Sequence, residues 1–137
     1  FFVVVEDEAA VREGLVVLLQ AWGARVVAFD SVDAVRAWVA GDAGAVGAGP
    51  AARPDLLLVD YRLPQGQTGV DALVALRARW PGQRLPAIMI TGSSLGGHED
   101  EALTHDYHLL IKPVLPNKLR AMIAFKLDLR PPPPAGG

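Results

Sequence analysis

Residues 54–64 read PDLLLVDYRLP, and the fold follows from how this stretch is read. Pro54 breaks whatever precedes it. The stretch Asp55–Val59 is of strand length and unbrokenly apolar after its first residue, and Asp60 stands where it ends. An apolar run without alternation is expected of a strand covered on both faces, as in a parallel sheet flanked by helices. Four other runs have the same character: Phe1–Val5, Arg25–Phe29, Ala87–Ile90 and Tyr107–Ile111.

The intervening segments carry helical spacing. Val11, Leu15, Leu18, Leu19 and Trp22 recur at helix intervals and stop at Gly23. Val32, Val35 and Trp38 follow the cap candidates Asp30 and Ser31. Val70, Leu73, Leu76 and Trp80 end at Pro81-Gly82, and Leu115, Leu119, Met122 and Ile123 follow with Pro116 in the first turn. Leu95–Thr104 is the faintest pattern, with Leu95, Ala102 and Leu103 as its core candidates. Strand and helix therefore alternate five times. The reading is an α/β fold, a three-layer (βα)5 doubly wound parallel sheet of flavodoxin-like strand order 2-1-3-4-5. Gly41–Arg53 reads as a flexible loop, and residues 130–137, ending in PPPPAGG, as a disordered tail after a single domain over residues 1–129.

Composition narrows the function. The 137 residues are 51% hydrophobic and 20% charged, enough apolar material for one core. A net charge of -2 gives no reason to expect nucleic acid as a partner. The absence of cysteine excludes disulfides, thiolate nucleophiles and Cys-ligated zinc. No apolar run approaches the roughly 18–20 residues needed to span a bilayer, so no membrane contact is expected and the location is read as cytoplasmic. The chain starts directly in a strand-like run without Met, which reads as a domain cut from a longer protein.

Ligands of doubly wound sheets sit outside the carboxyl ends of the strands. Those ends carry Glu6 and Asp7, Asp60, Thr91 before Gly92, and Lys112 before Pro113. Crowded carboxylates repel and resist ionisation unless a cation joins them, and their hard oxygens suit Mg²⁺. Lys112 adds a second positive charge. A carboxylate held between metal and ammonium is equipped to receive a phosphoryl group. Taken singly, each residue has a plainer reading: a cap, a dipole partner, a turn residue, a solvated charge. Their joint occurrence at four strand ends favours a site.

The motifs VVVEDE, PDLLLVDYRLP, IMITG and LLIKPV together resemble the receiver domains of two-component response regulators, over about Phe1 to Leu129. The resemblance implies that Asp60 is the phosphoacceptor and that Asp7 binds Mg²⁺, with Glu6 assisting and Arg62 offering its backbone carbonyl. It implies contacts from Thr91 and Lys112 to the phosphoryl group, and a Lys112-Pro113 bond that is often cis. The expected partner is a histidine kinase or a histidine phosphotransfer domain; a homodimer is left open. On phosphorylation, an inward shift of Thr91 would alter the fourth helix and fifth strand. The details DYRLP, ITG, LLIKPV and PNKLR are similar to receivers at the carboxyl end of hybrid sensor histidine kinases. Three departures are visible. Gly41–Arg53 is long, RLPQGQTG carries an extra residue, and Leu109 stands where many receivers place an aromatic, with Tyr107 two residues earlier.

Rival motifs fit less well. Gly47–Ala52 matches a loose dinucleotide pattern but contains Pro and follows a helix. Gly92-Ser-Ser94-Leu-Gly96 suggests a serine hydrolase using Ser94, with partners among His105, His108, Asp100 and Asp106, yet it leaves Glu6, Asp7, Asp60 and Lys112 unexplained. Arg62 replaces the second Asp of an aspartyl-phosphate phosphatase. A degenerate receiver used only for docking is the remaining alternative, which Leu109 keeps open.

Overall fold

The computed structural model describes residues 1–41, 53–92 and 99–127, without the side chains of residues 99–101. Most of the Gly41–Arg53 loop, Ser94, His98, the Asp100 side chain and the Pro-rich tail lie outside the described residues. Ten elements alternate: β1 (Phe2–Val5), α1 (Ala9–Ala21), β2 (Val26–Phe29), α2 (Val32–Val39), β3 (Leu56–Asp60), α3 (Gly69–Arg79), β4 (Ala87–Thr91), α4 (Glu99–His105), β5 (His108–Ile111) and α5 (Pro116–Lys126). The strands pair in parallel in the expected order β2-β1-β3-β4-β5.

Element boundaries differ from the sequence reading in an instructive way. β3 runs on through Asp60 and β4 through Thr91, so both polar residues belong to the ladder rather than to the loop after it. β5 begins at His108, and Tyr107 sits buried just before it. Helix limits follow local chemistry. Ser31 caps α2 by accepting from the Ala34 N–H at 3.1 Å. The Thr68 N–H is taken up by the Asp71 carboxylate at 2.9 Å at the start of α3. Gly23, at φ +89°, ends α1 in a conformation that favours glycine.

Alternation of side chains assigns the two faces of the sheet. Val3, Val5, Leu57, Val59, Ala87 and Met89 point to one side and pack with Val32, Val35 and Trp38 of α2 and Ala72, Leu73 and Leu76 of α3. Val4, Leu56, Leu58, Ile88, Ile90 and Leu110 point to the other and pack with Leu15 and Leu19 of α1 and Leu119 and Ile123 of α5. Both faces of β3 and β4 are buried along their whole length, which explains why their sequences read as continuous apolar runs.

Two polar devices fasten the layers at the end away from the strand carboxyl termini. The Arg77 guanidinium, half-buried at the end of α3, donates to the carbonyls of Leu85 at 2.9 Å and Asp106 at 2.7 Å, and to that of His105. Burial lowers its pKa, opposed by the nearby Asp106 carboxylate. Lys126, 5% exposed, holds its amine 2.9 Å from His108 Nδ1 across the β5–α5 packing. Removing the Arg77 donors strands two partly buried carbonyls, those of Leu85 and His105, and frees the exposed carbonyl of Asp106. Arg77→Met should therefore lower the unfolding free energy by about 2–3 kcal/mol, measured by urea titration. An unchanged midpoint and slope would show that water replaces the guanidinium without cost.

Candidate functional site

Register brings the polar strand ends together. Val5 pairs with Val59, which sets Glu6, the next residue, level with Asp60. Asp60 pairs with Ile90, and Thr91 pairs with Ile111, so Thr91 and Lys112 rise one and two residues higher across the sheet. By alternation Glu6 and Asp60 share the face of α1 and α5. The outcome is a cavity of about 330 Å³ lined by Asp60, Arg62, Thr91, Gly92 and Lys112.

The acidic residues differ sharply in exposure. Glu6 and Asp60 are 1% and 5% exposed, while Asp7 is open to solvent. One carboxylate oxygen from each of Glu6, Asp7 and Asp60 lies within 4.8 Å of the others, the one such group among the described residues. Lys112 reaches in from the end of β5, its Nζ 3.6 Å from Asp60 Oδ1 and 3.8 Å from Glu6 Oε2. Thr91 is also buried, at 3% exposed. Every residue assigned to the site from sequence thus lies at this one rim: Glu6, Asp7, Asp60, Arg62, Thr91 and Lys112. The Lys112-Pro113 bond is cis.

One lysine does not settle three carboxylates. Burial pushes the Glu6 carboxyl up to about 7, opposed by the Glu8 N–H that it accepts and reinforced by the negative charge of Asp60. Asp60 is also raised, by burial first, against the pull of Lys112. Glu6 Oε1 accepts the Glu8 N–H at 3.1 Å, but Glu6 Oε2 is buried with no hydrogen-bond donor. A buried carboxylate oxygen without a donor, beside two further carboxylates, fits a divalent cation or its bound water. The donor set is all oxygen and suits Mg²⁺.

Several supporting residues were not foreseen. Gly69 opens α3 against the site strand, donating its N–H to the Tyr61 carbonyl at 2.7 Å. A Cβ at Gly69 would lie 2.7 Å from the Asp60 carbonyl oxygen and collide with Met89. Gln65 and Gly66 both adopt positive φ, at 64° and 71°, in the turn that folds Thr68 back beside Arg62. Tyr107 is buried in the core cluster of α2 and α3, and Leu109 packs against the same cluster, so Tyr107 serves packing there. The sequence marked Gly69 only by its place after Thr68; the close approach to Asp60 depends on tertiary placement.

The raised Glu6 pKa makes stability depend on pH in a defined direction. A carboxyl whose folded pKa lies above its unfolded value stabilises the fold below the unfolded pKa, and that contribution is lost as pH rises through the folded pKa. For Glu6 the window runs from 4.5 to about 7. Without metal, the wild-type protein should lose stability relative to Glu6→Gln as pH rises through this window, with Mg²⁺ restoring the wild type at the alkaline end. Thermal melts across the window test it; parallel curves for the two proteins would show that Glu6 ionises freely.

The profile of the response regulator receiver domain matches residues 2–124. A search of curated proteins returned no match. Among solved structures, the receiver domain of a sensor histidine kinase from Pseudomonas aeruginosa PAO1 is 26% identical, with a TM-score of 0.71 over 93% of this chain and 96% of that one. That structure has a magnesium ion coordinated in its active site cleft. The signal receiver domain of a modulated diguanylate cyclase from Desulfovibrio desulfuricans G20 is 29% identical, with a TM-score of 0.71 over 93% of both chains. A CheY-like receiver from Methanospirillum hungatei JF-1, at 24% identity and a TM-score of 0.71 over 93% of both chains, shares the fold. With a profile match across nearly the whole described chain and an Mg²⁺-compatible acidic rim at the carboxyl ends of its strands, the chain belongs to the response regulator receiver domain family, the phosphoacceptor modules of phosphorelay signalling.

Proposed function

We propose that Asp60 accepts a phosphoryl group from a phosphohistidine, with Thr91 and Lys112 as its contacts and Glu6, Asp7, Asp60 and the Arg62 carbonyl as the metal site. The observation that carries this reading is the 3.6 Å approach of Lys112 Nζ to the buried Asp60 carboxylate, beside the acidic pair of β1. An Asp60 oxygen attacks phosphorus in line as the N–P bond to the donor imidazole breaks; the imidazole leaves and takes a proton. Bound Mg²⁺ supplies charge neutralisation for the carboxylates and the phosphoryl oxygens. Lys112 holds a phosphoryl oxygen from the β5 side, and the Thr91 hydroxyl donates to another. Gly92 leaves room for the group on that side. Water later hydrolyses the acyl phosphate.

The response then travels through β4 and β5. The Lys112 N–H donates to the Thr91 carbonyl at 2.7 Å, so a shift of Thr91 is felt directly at the end of β5. With Leu109 in place of an aromatic and Tyr107 committed to the core, this backbone link is the route to α4 and β5. The domain proper spans residues 1–129, works in the cytoplasm, and serves as a phosphoacceptor rather than a turnover enzyme. The donor is a histidine kinase or a histidine phosphotransfer domain. Likeness to a sensor kinase's receiver supports a place in a hybrid histidine kinase. No described helix is long and apolar enough to cross a membrane.

Incubation with acetyl phosphate and Mg²⁺ should add one phosphoryl group, seen by intact mass and lost in alkaline hydroxylamine. Asp60→Asn should show no adduct, and Lys112→Ala should slow its formation by at least about tenfold. Undiminished phosphorylation of Asp60→Asn would overturn the assignment.

A further inference from the structure

Arg12 lies on α1, behind the acidic rim rather than in the cavity of Asp60 and Lys112. Its Nη1 donates to the Glu6 carbonyl at 2.9 Å and to the Asp7 carbonyl at 3.4 Å. Its backbone N–H donates to the Glu8 carbonyl at 2.9 Å. One residue therefore engages the carbonyls of three successive residues, the three that carry the sheet edge into α1. The brace works alongside the bond from the Glu8 N–H to Glu6 Oε1 at 3.1 Å, which fixes the Glu6 side chain from the same turn. No side chain caps α1, and its first turn holds no acidic residue, so Arg12 and the Glu6 carboxylate together supply the side-chain hold on this entry.

The turn needs holding. Glu6 is fixed by burial, but Asp7 is exposed, and where its carboxylate can reach depends on the backbone of this turn as well as on its own side-chain torsions. Repulsion from Glu6 and Asp60 favours a swing of Asp7 into solvent. The two Nη1 bonds hold the carbonyls of the peptide units on either side of the Asp7 Cα, so the backbone cannot turn Asp7 away and only its side-chain torsions remain free. We propose that Arg12 is a positioning residue for the divalent-cation site, locking the Glu6–Asp7 backbone so that the Asp7 carboxylate faces Asp60. The inference rests on the metal-site reading above.

Charge alone predicts the opposite outcome. Removing a cation behind an acidic pocket would strengthen Mg²⁺ binding, whereas removing the brace weakens it. Arg12→Met keeps much of the apolar stem without donors, and Arg12→Lys keeps the charge without the planar fork. Mg²⁺ affinity is measured by isothermal titration calorimetry on the whole chain, with metal-free urea stability alongside. Arg12→Met should weaken Mg²⁺ binding about tenfold, and Arg12→Lys should recover part of that loss. In an Asp7→Asn background Arg12→Met should change the residual affinity less than twofold, since no Asp7 carboxylate remains to be placed. Unchanged or tighter binding by Arg12→Met overturns the proposal. So does an undiminished effect in the Asp7→Asn background. Should Arg12→Met not fold, binding by Arg12→Lys as tight as wild type overturns it. Asp7→Asn alone serves as the check on the underlying reading: wild-type affinity there would refute the metal site itself, independently of Arg12.

Discussion

Everything at the functional rim follows from placing three carboxylates and one ammonium where the sheet ends. Glu6 and Asp60 are buried, Asp7 stands beside them in solvent, and Lys112 lies 3.6 Å from Asp60 and 3.8 Å from Glu6. The lysine offsets only part of the repulsion, which is why both buried carboxyls resist ionisation and Glu6 Oε2 is left without a donor. Such a site carries a standing electrostatic deficit. A divalent cation relieves it, and that need links metal binding to phosphoryl acceptance: the same positive charge that settles the acids also settles the incoming group.

The rest of the fold keeps that conflict in place. A parallel sheet with both faces covered fixes its register strongly, because a slip of one residue would turn Leu56, Leu58 and Asp60 to the opposite face. Register then levels Glu6 with Asp60 and steps Thr91 and Lys112 upward along the next two strands. Gly69 lets α3 begin against the Asp60 carbonyl, and Arg77 ties the far end of α3 to the turn before β5. Both ends of α3 are thereby fixed, one beside the site and the other beside the strand that carries Lys112.

Much of this was legible in the sequence because it depends on local pattern. Continuous apolar runs announced covered strands, and the polar residue at the end of each run announced the rim. Strand order came from the regularities of alternating βα units and from the family likeness. Ser31 and Pro116 marked helix starts by chemistry that acts within one turn. What escaped were residues whose role is set by distant neighbours. Arg12, Arg77 and Lys126 look like ordinary charges on helices, yet each ends on carbonyls or a ring nitrogen of another segment. Gly69 looks like a loop glycine, and only the approach of β3 and Met89 shows why no side chain fits. The strand limits moved for the same reason: Asp60 and Thr91 are polar by type but paired by register. Leu109 was visible as a departure, while the commitment of Tyr107 to the core required the packing itself.

Asp7, Asp60 and the Arg62 carbonyl are proposed to share one cation beside Lys112. An anomalous difference map from crystals soaked in Mn²⁺ tests it most directly. A single peak is expected within bonding distance of those three groups. A peak held by other residues, with Asp7 turned away from Asp60, would contradict it.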